Sequence, residues 1–250
     1  MSPGEAVLVA LAGVFAGGIN TVVGSGTLVT FPVLLGVGYS PVVANVSNTI
    51  GLVPGSVTGA IGYRRELEGQ RTRALRLGCA SIAGGVTGAI ALLVLPEDLF
   101  EAIVPAFIAV ALVLIVFQKQ LSARMAARRA QAPPHGGPWT AVGVYLAGVY
   151  GGYFGAAQGI LLISILGLTL PEDLQRVNAL KNVLAGLVNF VAGVVFALVA
   201  DVAWEAAALI AVGAVVGGVL GARYGRRLPD PVLRGFIVVV GIVAIVRLLT

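Results

Sequence analysis

The chain has 250 residues, 58% hydrophobic and 11% charged, with 35 glycines and a net charge of +5. Soluble globular domains carry about 25% charged residues, so this composition, with a mean hydropathy of +0.99, excludes a soluble domain and implies an integral, polytopic membrane protein. The single cysteine, Cys79, excludes an intrachain disulfide, and the single histidine, His135, argues against a Cys/His metal site.

In chain order, the N-terminus Met1-Ser2-Pro3-Gly4-Glu5 has no Lys or Arg. It lacks the positive region of a signal peptide, so the first apolar run is expected to belong to the mature fold. Ten apolar segments are predicted: 5–23, 27–38, 41–62, 74–95, 99–118, 139–155, 159–170, 174–200, 204–222 and 231–249. A membrane crossing needs about 20 residues. The short segments 27–38 and 159–170 are therefore expected to be half-helices or parts of re-entrant hairpins, the alternative being a tilted span.

A pattern recurs. Residues 12–18 read A-G-V-F-A-G-G and residues 147–153 read A-G-V-Y-G-G-Y. Each run leads into a glycine-rich break, Gly24-Ser25-Gly26-Thr27 and Gly155-Ala156-Ala157-Gln158-Gly159. Interrupted hydrophobic segments at corresponding places in two halves point to a secondary transporter with a site near the bilayer midplane. The expected organisation is a first transmembrane repeat over 1–118, a basic Pro/Gly linker over 119–138 and a second repeat over 139–250.

Charge sets the expected orientation. The clusters Arg64, Arg65, Arg71, Arg73, Arg76; Lys119, Arg124, Arg128, Arg129; and Arg223, Arg226, Arg227, Arg234 hold 13 of the 16 basic residues. The positive-inside rule makes loops 63–76, 119–138 and 223–234 cytoplasmic. The acidic turns at Glu97, Asp98, Glu101 and at Asp201, Glu205 then face outward. Segment 41–62 runs inward and 174–200 outward, so the repeats are inverted and the C-terminus lies outside, with Arg247 as the one violation. The expected fold is all-α, with two inverted-topology repeats, each a broken short-helix pair followed by three transmembrane helices.

Two constellations could carry chemistry. The first is the break itself. Asn20, Gly24, Ser25, Gly26 and Thr27, with Gln158 and Gly159 opposite, could present amide and hydroxyl donors to an anion at a half-helix N-terminus. The competing reading is close helix packing by small residues. The second is Asn45, Asn48 and Thr49 with their counterparts Asn178, Lys181 and Asn182. The asparagines are spaced three and four apart, which puts each pair on one helix face. Interhelical hydrogen bonding is the plainer explanation. Lys181 lies about 10 Å into its segment at 1.5 Å per residue. It either snorkels to the surface or is an intramembrane cation with no deep carboxylate to pair with, which suggests a mobile anion as its counter-ion.

Other features are expected to be structural. Leu95-Pro96-Glu97-Asp98-Leu99 and Leu170-Pro171-Glu172-Asp173-Leu174 read as ordinary helix starts. Gly213, Gly217, Gly221 and Gly225 read as a packing ladder, and Cys79 as core filler. Trp139, Trp204, Tyr63 and Tyr224 read as interfacial anchors. No nucleophile, base and metal constellation of an enzyme is present, and no cofactor is expected.

The doubled break, A-N-V-S-N-T at 44–49, G-Y-R-R at 62–65, K-N-V-L at 181–184 and G-G-V-L-G-A-R at 217–223 together resemble the sulfite exporter TauE/SafE family of permeases. The resemblance spans about residues 10–248 and rests on the order and spacing of these motifs. It implies a prokaryotic plasma (inner) membrane permease built from a duplicated unit, for sulfite, sulfoacetate or other small organosulfur anions. The expected function is a secondary transporter of small, sulfur-containing oxyanions such as sulfite, thiosulfate or sulfoacetate. An anion pore or a non-transporting scaffold are the alternatives. Expected partners are the anionic substrate and the lipid bilayer; a homo-oligomer is left open and no nucleic acid is expected.

Overall fold

The computed structural model describes residues 1–128 and 133–225, together with the isolated positions 235, 238, 239, 242, 245 and 246. The predicted segment 231–249, with Arg226, Arg227, Arg234 and Arg247 around it, otherwise lies outside the described residues, as does Arg129. The same holds for the predicted outward C-terminus.

Nine helices form among the described residues, and no strand: α1 (Pro3–Val22), α2 (Thr27–Gly36), α3 (Pro41–Gly62), α4 (Arg71–Val94), α5 (Glu97–Arg128), α6 (Pro138–Tyr153), α7 (Gln158–Thr169), α8 (Leu174–Val199) and α9 (Trp204–Tyr224). Their starts follow ordinary end chemistry. Ser2 and Glu5 form a capping box on α1. Ser40 caps α3 with Pro41 behind it, and the Asp173 carboxylate accepts from the Gln175 and Arg176 amides to open α8. Helix α5 continues ten residues beyond the predicted apolar segment. Its stretch Gln118–Arg128 is rich in Gln, Lys, Leu, Ala and Arg, which all favour helix, so the connection to α6 is shorter than the linker read from charge.

Among the described residues, five helices are long and apolar enough to cross a bilayer: α1, α4, the Glu97–Phe117 part of α5, α8 and α9. Helix α3 has 22 residues but carries six polar side chains between Asn45 and Thr58. The protein is a multi-pass, all-helical membrane protein. Outward-facing Leu8, Leu11, Phe15, Val212, Val216 and Leu220 are at least 45% exposed, as lipid-facing side chains must be.

The directions of the helices can be read from the glycines at their crossings. A Cβ on Gly213 would strike the Ala10 carbonyl, one on Gly217 the Val14 carbonyl, and one on Gly221 would lie 2.8 Å from the Gly18 carbonyl. The numbers rise together, so α1 and α9 run parallel, backbone against backbone. Gly51 meets Ile210, Gly55 meets Ala214 and Gly62 meets Ala222, so α3 runs the same way. In the same manner Gly84 and Gly88 on α4 meet Tyr145 and Val149 on α6, and Gly85 meets Val188 on α8. By contrast α3 and α8 are antiparallel: Ser56 lies by Gly186, while Ile50 lies by Gly193.

Helices α1, α3 and α9 therefore run one way and α4, α6 and α8 the other. Each helix of the first half opposes its counterpart in the second: α1 against α6, α3 against α8, α4 against α9. The two halves are inverted. They are also interleaved, since α1 packs on α9 and α6 on α4, each pairing crossing from one half to the other. The ladder Gly213, Gly217 and Gly221 is packing, as expected. Two minor expectations are corrected. Cys79 is exposed rather than core, because it lies on the face of α4 turned away from α6 and α8. Tyr63 is 1% exposed rather than interfacial, because it closes the C-terminus of α3 beneath the following turns.

Candidate functional site

The two breaks meet. The Gly159 amide donates to the Gly24 carbonyl at 3.0 Å, and neither residue has room for a Cβ because each Cα occupies the other's space. Both breaks use the same turn. At the first, the amides of Val23 and Gly24 both donate to the Ile19 carbonyl, at 2.7 and 3.0 Å. At the second, Phe154 and Gly155 both donate to Tyr150, at 2.9 and 3.0 Å. Gly24 has φ +86° and Gly155 φ +78°, a backbone region that glycine enters without cost.

A helix that stops inside a membrane leaves its last carbonyls without partners. Here the other half supplies them. The Lys181 ammonium donates to the Asn20 carbonyl at 2.8 Å, to Thr21 at 3.4 Å and to Asn182 Oδ1 at 2.8 Å. Asn178 and Asn182 each add an amide hydrogen to the Thr21 carbonyl at 3.2 Å. Reciprocally, Asn45 on α3 donates to the Tyr153 carbonyl at the end of α6, at 2.9 Å. Each half caps the broken helix of its partner.

Lys181 is fully buried, so it does not snorkel. Its three hydrogens go to neutral oxygens of the protein, which take the place of direct contact with a mobile anion. None of these partners carries a charge. The asparagines likewise spend amide hydrogens on the protein: Asn48 donates to the Thr27 hydroxyl at 3.2 Å and accepts from Thr30. Thr49 bonds back to the Asn45 carbonyl at 2.9 Å, within its own helix. Asn20 enters through its carbonyl rather than its amide.

What is left unspent lies at the half-helix N-termini. Ser25 is 1% exposed and Gln158 4%; the Ser25 hydroxyl and the Gln158 side-chain nitrogen have no hydrogen-bond partner among the described residues. The backbone amides of Ser25, Gly26 and Thr27 make no backbone hydrogen bond among those residues either. Ser25 adjoins Gly24, Gln158 adjoins Gly159, and those two glycines touch. The oxygens Asn45 Oδ1 and Asn178 Oδ1 are also unpartnered. Thus the structure brings the two breaks together, and it ties Asn45, Asn178, Lys181 and Asn182 to backbone carbonyls beside them.

Two participants escaped the sequence reading. The carbonyls of Asn20 and Thr21 carry no side-chain signature. Glu172, read as helix-start chemistry, instead pairs with Arg73 and with Arg176. An acid four residues before an arginine, inside an otherwise basic set of loops, was its available signal.

The comparisons with known proteins agree with this architecture. The family model for sulfite exporter TauE/SafE matches residues 9–248. The chain is similar to the probable membrane transporter protein YfcA of Escherichia coli K12, with 25% identity over 242 residues, 94% of this chain and 86% of that protein. It is likewise similar to the probable membrane transporter protein ORF9 of a Sinorhizobium species, with 26% identity over 243 residues, 96% of this chain and 90% of that protein. No solved structure matches. With inverted, interleaved halves, two broken helices meeting at their turns and a family match over nearly its full length, this membrane transport protein belongs to the sulfite exporter TauE/SafE family.

Proposed function

We propose that this protein is a secondary transporter of small anions, sulfur oxyanions such as sulfite, thiosulfate or sulfoacetate foremost, in a prokaryotic inner membrane. The observation that carries the reading is the meeting of Gly24 with Gly159 beside the unpartnered donors Ser25 and Gln158. At 1.5 Å per residue, the 10 residues of α2 and 12 of α7 extend about 15 and 18 Å. Each is about half of the roughly 30 Å hydrocarbon core. A site at their junction is thereby set near the midplane, and the two half-helix N-termini bring their positive dipole ends to it.

The residues divide the work. The amides of Ser25, Gly26 and Thr27, the Ser25 hydroxyl and the Gln158 amide replace water around the anion. Gly159 contributes its backbone to the junction. Lys181 acts through its field: in a low-dielectric interior a charge a few ångströms away attracts an anion without touching it. Asn45, Asn48, Thr49, Asn178 and Asn182 hold the turns in place. Alternating access follows from rocking about the glycine crossings that join the two inverted halves. The basic loops 63–76, 119–138 and 223–234 face the cytoplasm.

The ties from Asn178, Lys181 and Asn182 to carbonyls favour a second reading, a membrane scaffold in which these residues only close helix ends. Flux separates the two. Purified protein in proteoliposomes should move sulfite, thiosulfate or sulfoacetate. Lys181→Ala should lower that flux by at least about a hundredfold, the equivalent of roughly 2.7 kcal/mol, while the protein remains folded by circular dichroism. A folded Lys181→Ala variant with unchanged flux would remove the charge role. A wild type that moves none of the panel would favour the scaffold.

A further inference from the structure

One end of the helix bundle is clamped and the other is open. At the clamped end, Arg73 at the start of α4 pairs with Glu172, in the loop before α8, and its Nε donates to the Pro134 carbonyl at 2.8 Å. Arg176 Nε meets the other Glu172 oxygen at 2.5 Å. Arg176 reaches further, to the Glu68 carbonyl at 2.9 Å. Gln70 returns the contact, donating to the Arg176 carbonyl at 3.0 Å and to Glu66 at 2.8 Å. Glu68, Gln70 and Arg73 belong to the first half; Glu172 and Arg176 belong to the second.

The far end is different. Helix α3 begins there with Pro41, and α4 and α8 end there. A cleft of about 420 Å³ opens between them, lined by Ser40, Val43, Leu92, Leu95, Glu97 and Asp201. Asn45 lies two residues along α3 from Val43 in the cleft, and Asn178 two residues along α8 from Arg176 in the clamp. The junction of the breaks thus sits between an open end and a clamped one.

We propose that Glu172 is the gate at the clamped end, oriented by Arg176 within its own segment, and that its ion pair with Arg73 must part for the anion site to open on that side. The proposal rests on the alternating-access reading above. The glycine crossings of α1 on α9 and α6 on α4 are backbone contacts that cannot slide without loss of packing. The clamp, by contrast, is made of long side chains at the bundle's end. Water can solvate their charges once they separate, so opening costs little compared with repacking. A charge-assisted pair shared by two arginines is nevertheless strong enough to set which end is closed. Glu172 also joins both halves at one atom group, which a static surface pair within one half would not do.

The test measures the gate directly. In a Cys79→Ser background, spin labels placed at the exposed positions Arg65 and Gln175 report the distance across the clamp. With the clamp intact, a single short population is expected. Glu172→Gln should add a longer population of at least about a third of molecules, since removal of the pair that crosses the halves shifts a two-state equilibrium several-fold. Arg73→Gln, which removes the same pair from the opposite side, should shift it in the same direction. An unchanged distance distribution in both variants overturns the proposal. Sulfite flux measured in parallel separates the two readings. Flux without a distance change sinks the gate and leaves the transporter; a distance change with no flux in any form leaves the gate and sinks the proposed substrate.

Discussion

The two breaks share one turn and differ in what surrounds it. Around the first lie Lys181, Asn178 and Asn182, which crowd the Asn20 and Thr21 carbonyls, and three backbone amides without backbone partners. The second is packed in aromatic rings: Phe154 lies 5.2 Å from Phe31, 5.9 Å from Phe100 and 6.1 Å from Phe107 by ring centroids, and Phe107 also meets Tyr150 and Tyr153. The Tyr150 hydroxyl closes that break by donating to the Ala156 carbonyl at 2.6 Å. A difference in length underlies this. From the crossing glycine Gly17 to the turn at Gly24 is seven residues, whereas from Gly152 to Gly155 is three. That is about one helical turn more, and the added turn contains Asn20 and Thr21. The hydrogen-bonded turn is common to the two breaks, while the linings differ: the first is polar and the second, Gln158 apart, is aromatic.

The largest expected effect breaks that comparison at the turn. Gly24→Ala combines left-handed strain of about 1–2 kcal/mol with a Cβ inside the Gly159 backbone, which overpacks by a further 1–3 kcal/mol. Gly155→Ala carries the same strain, but its Cβ meets only the Gly151 carbonyl, at 3.0 Å. Thermal unfolding in detergent should show Gly24→Ala destabilised by about 3 kcal/mol or more, and Gly155→Ala by about 1–2 kcal/mol. Equal losses would mean that the contact between the breaks carries no weight.

A crossed effect follows at the caps. Asn45 is, among the described residues, the only side chain donating to the Tyr153 carbonyl, whereas the Thr21 carbonyl receives three side chains. Asn45→Ala leaves a buried acceptor alone and should cost about 1–3 kcal/mol; Asn178→Ala should cost about 1 kcal/mol. Flux should fall in the opposite order, because Asn178 supports the polar break. Parallel unfolding and proteoliposome assays of the two variants check this. A single common ranking in both assays would erase the functional distinction between the polar break and the aromatic one.

These contrasts mark where sequence reasoning stops. The half-helices were legible because a membrane limits helix length, and the inversion was legible because cationic loops fix direction. The faces bearing Asn45 and Asn178 were legible from helical spacing. Their partners were not, since backbone carbonyls at the ends of α1 and α6 look like every other carbonyl in a sequence. Lys181 was read as deep, and it is; two of its three neutral acceptors come from a helix some 160 positions away. That the two breaks meet was legible from their matching places in inverted halves; the particular Gly24–Gly159 contact was not. Glu172 was hidden by its place in a helix-start motif, where Asp173 performs the expected capping.

Acid should weaken the clamp before either break. Burial pushes the Glu172 carboxyl up, but the hydrogen bonds and charges of Arg73 and Arg176 outweigh it and hold the group below its ordinary range. A depressed value means that the clamp's stabilisation is complete above the unfolded value, about 4.3, and is lost as pH falls through the lower folded one. Arg73 from α4 and Arg176 from α8 face it, with Asp173 next to it in the chain. Unfolding temperature should therefore fall below about pH 4 in the wild type and fall less steeply in Glu172→Gln. Parallel slopes in the two proteins would show that other carboxylates dominate.

The smallest effect sharpens the account of the second break. Ala157 stands at φ +59°, where a side chain costs about 1–2 kcal/mol, and glycine would relieve that strain. Glycine also loses more chain entropy on folding, about 0.5–1 kcal/mol relative to alanine. Replacing Ala157, which is fully buried, also removes a methyl group from the packing, worth about 0.8 kcal/mol. The terms nearly cancel, so Ala157→Gly should change stability by less than about 1 kcal/mol and leave flux intact. If Gln158 keeps its place without that strain, Ala157 can be relaxed without consequence for transport. A variant of normal stability that loses flux would instead show that the left-handed alanine is what aims the Gln158 amide.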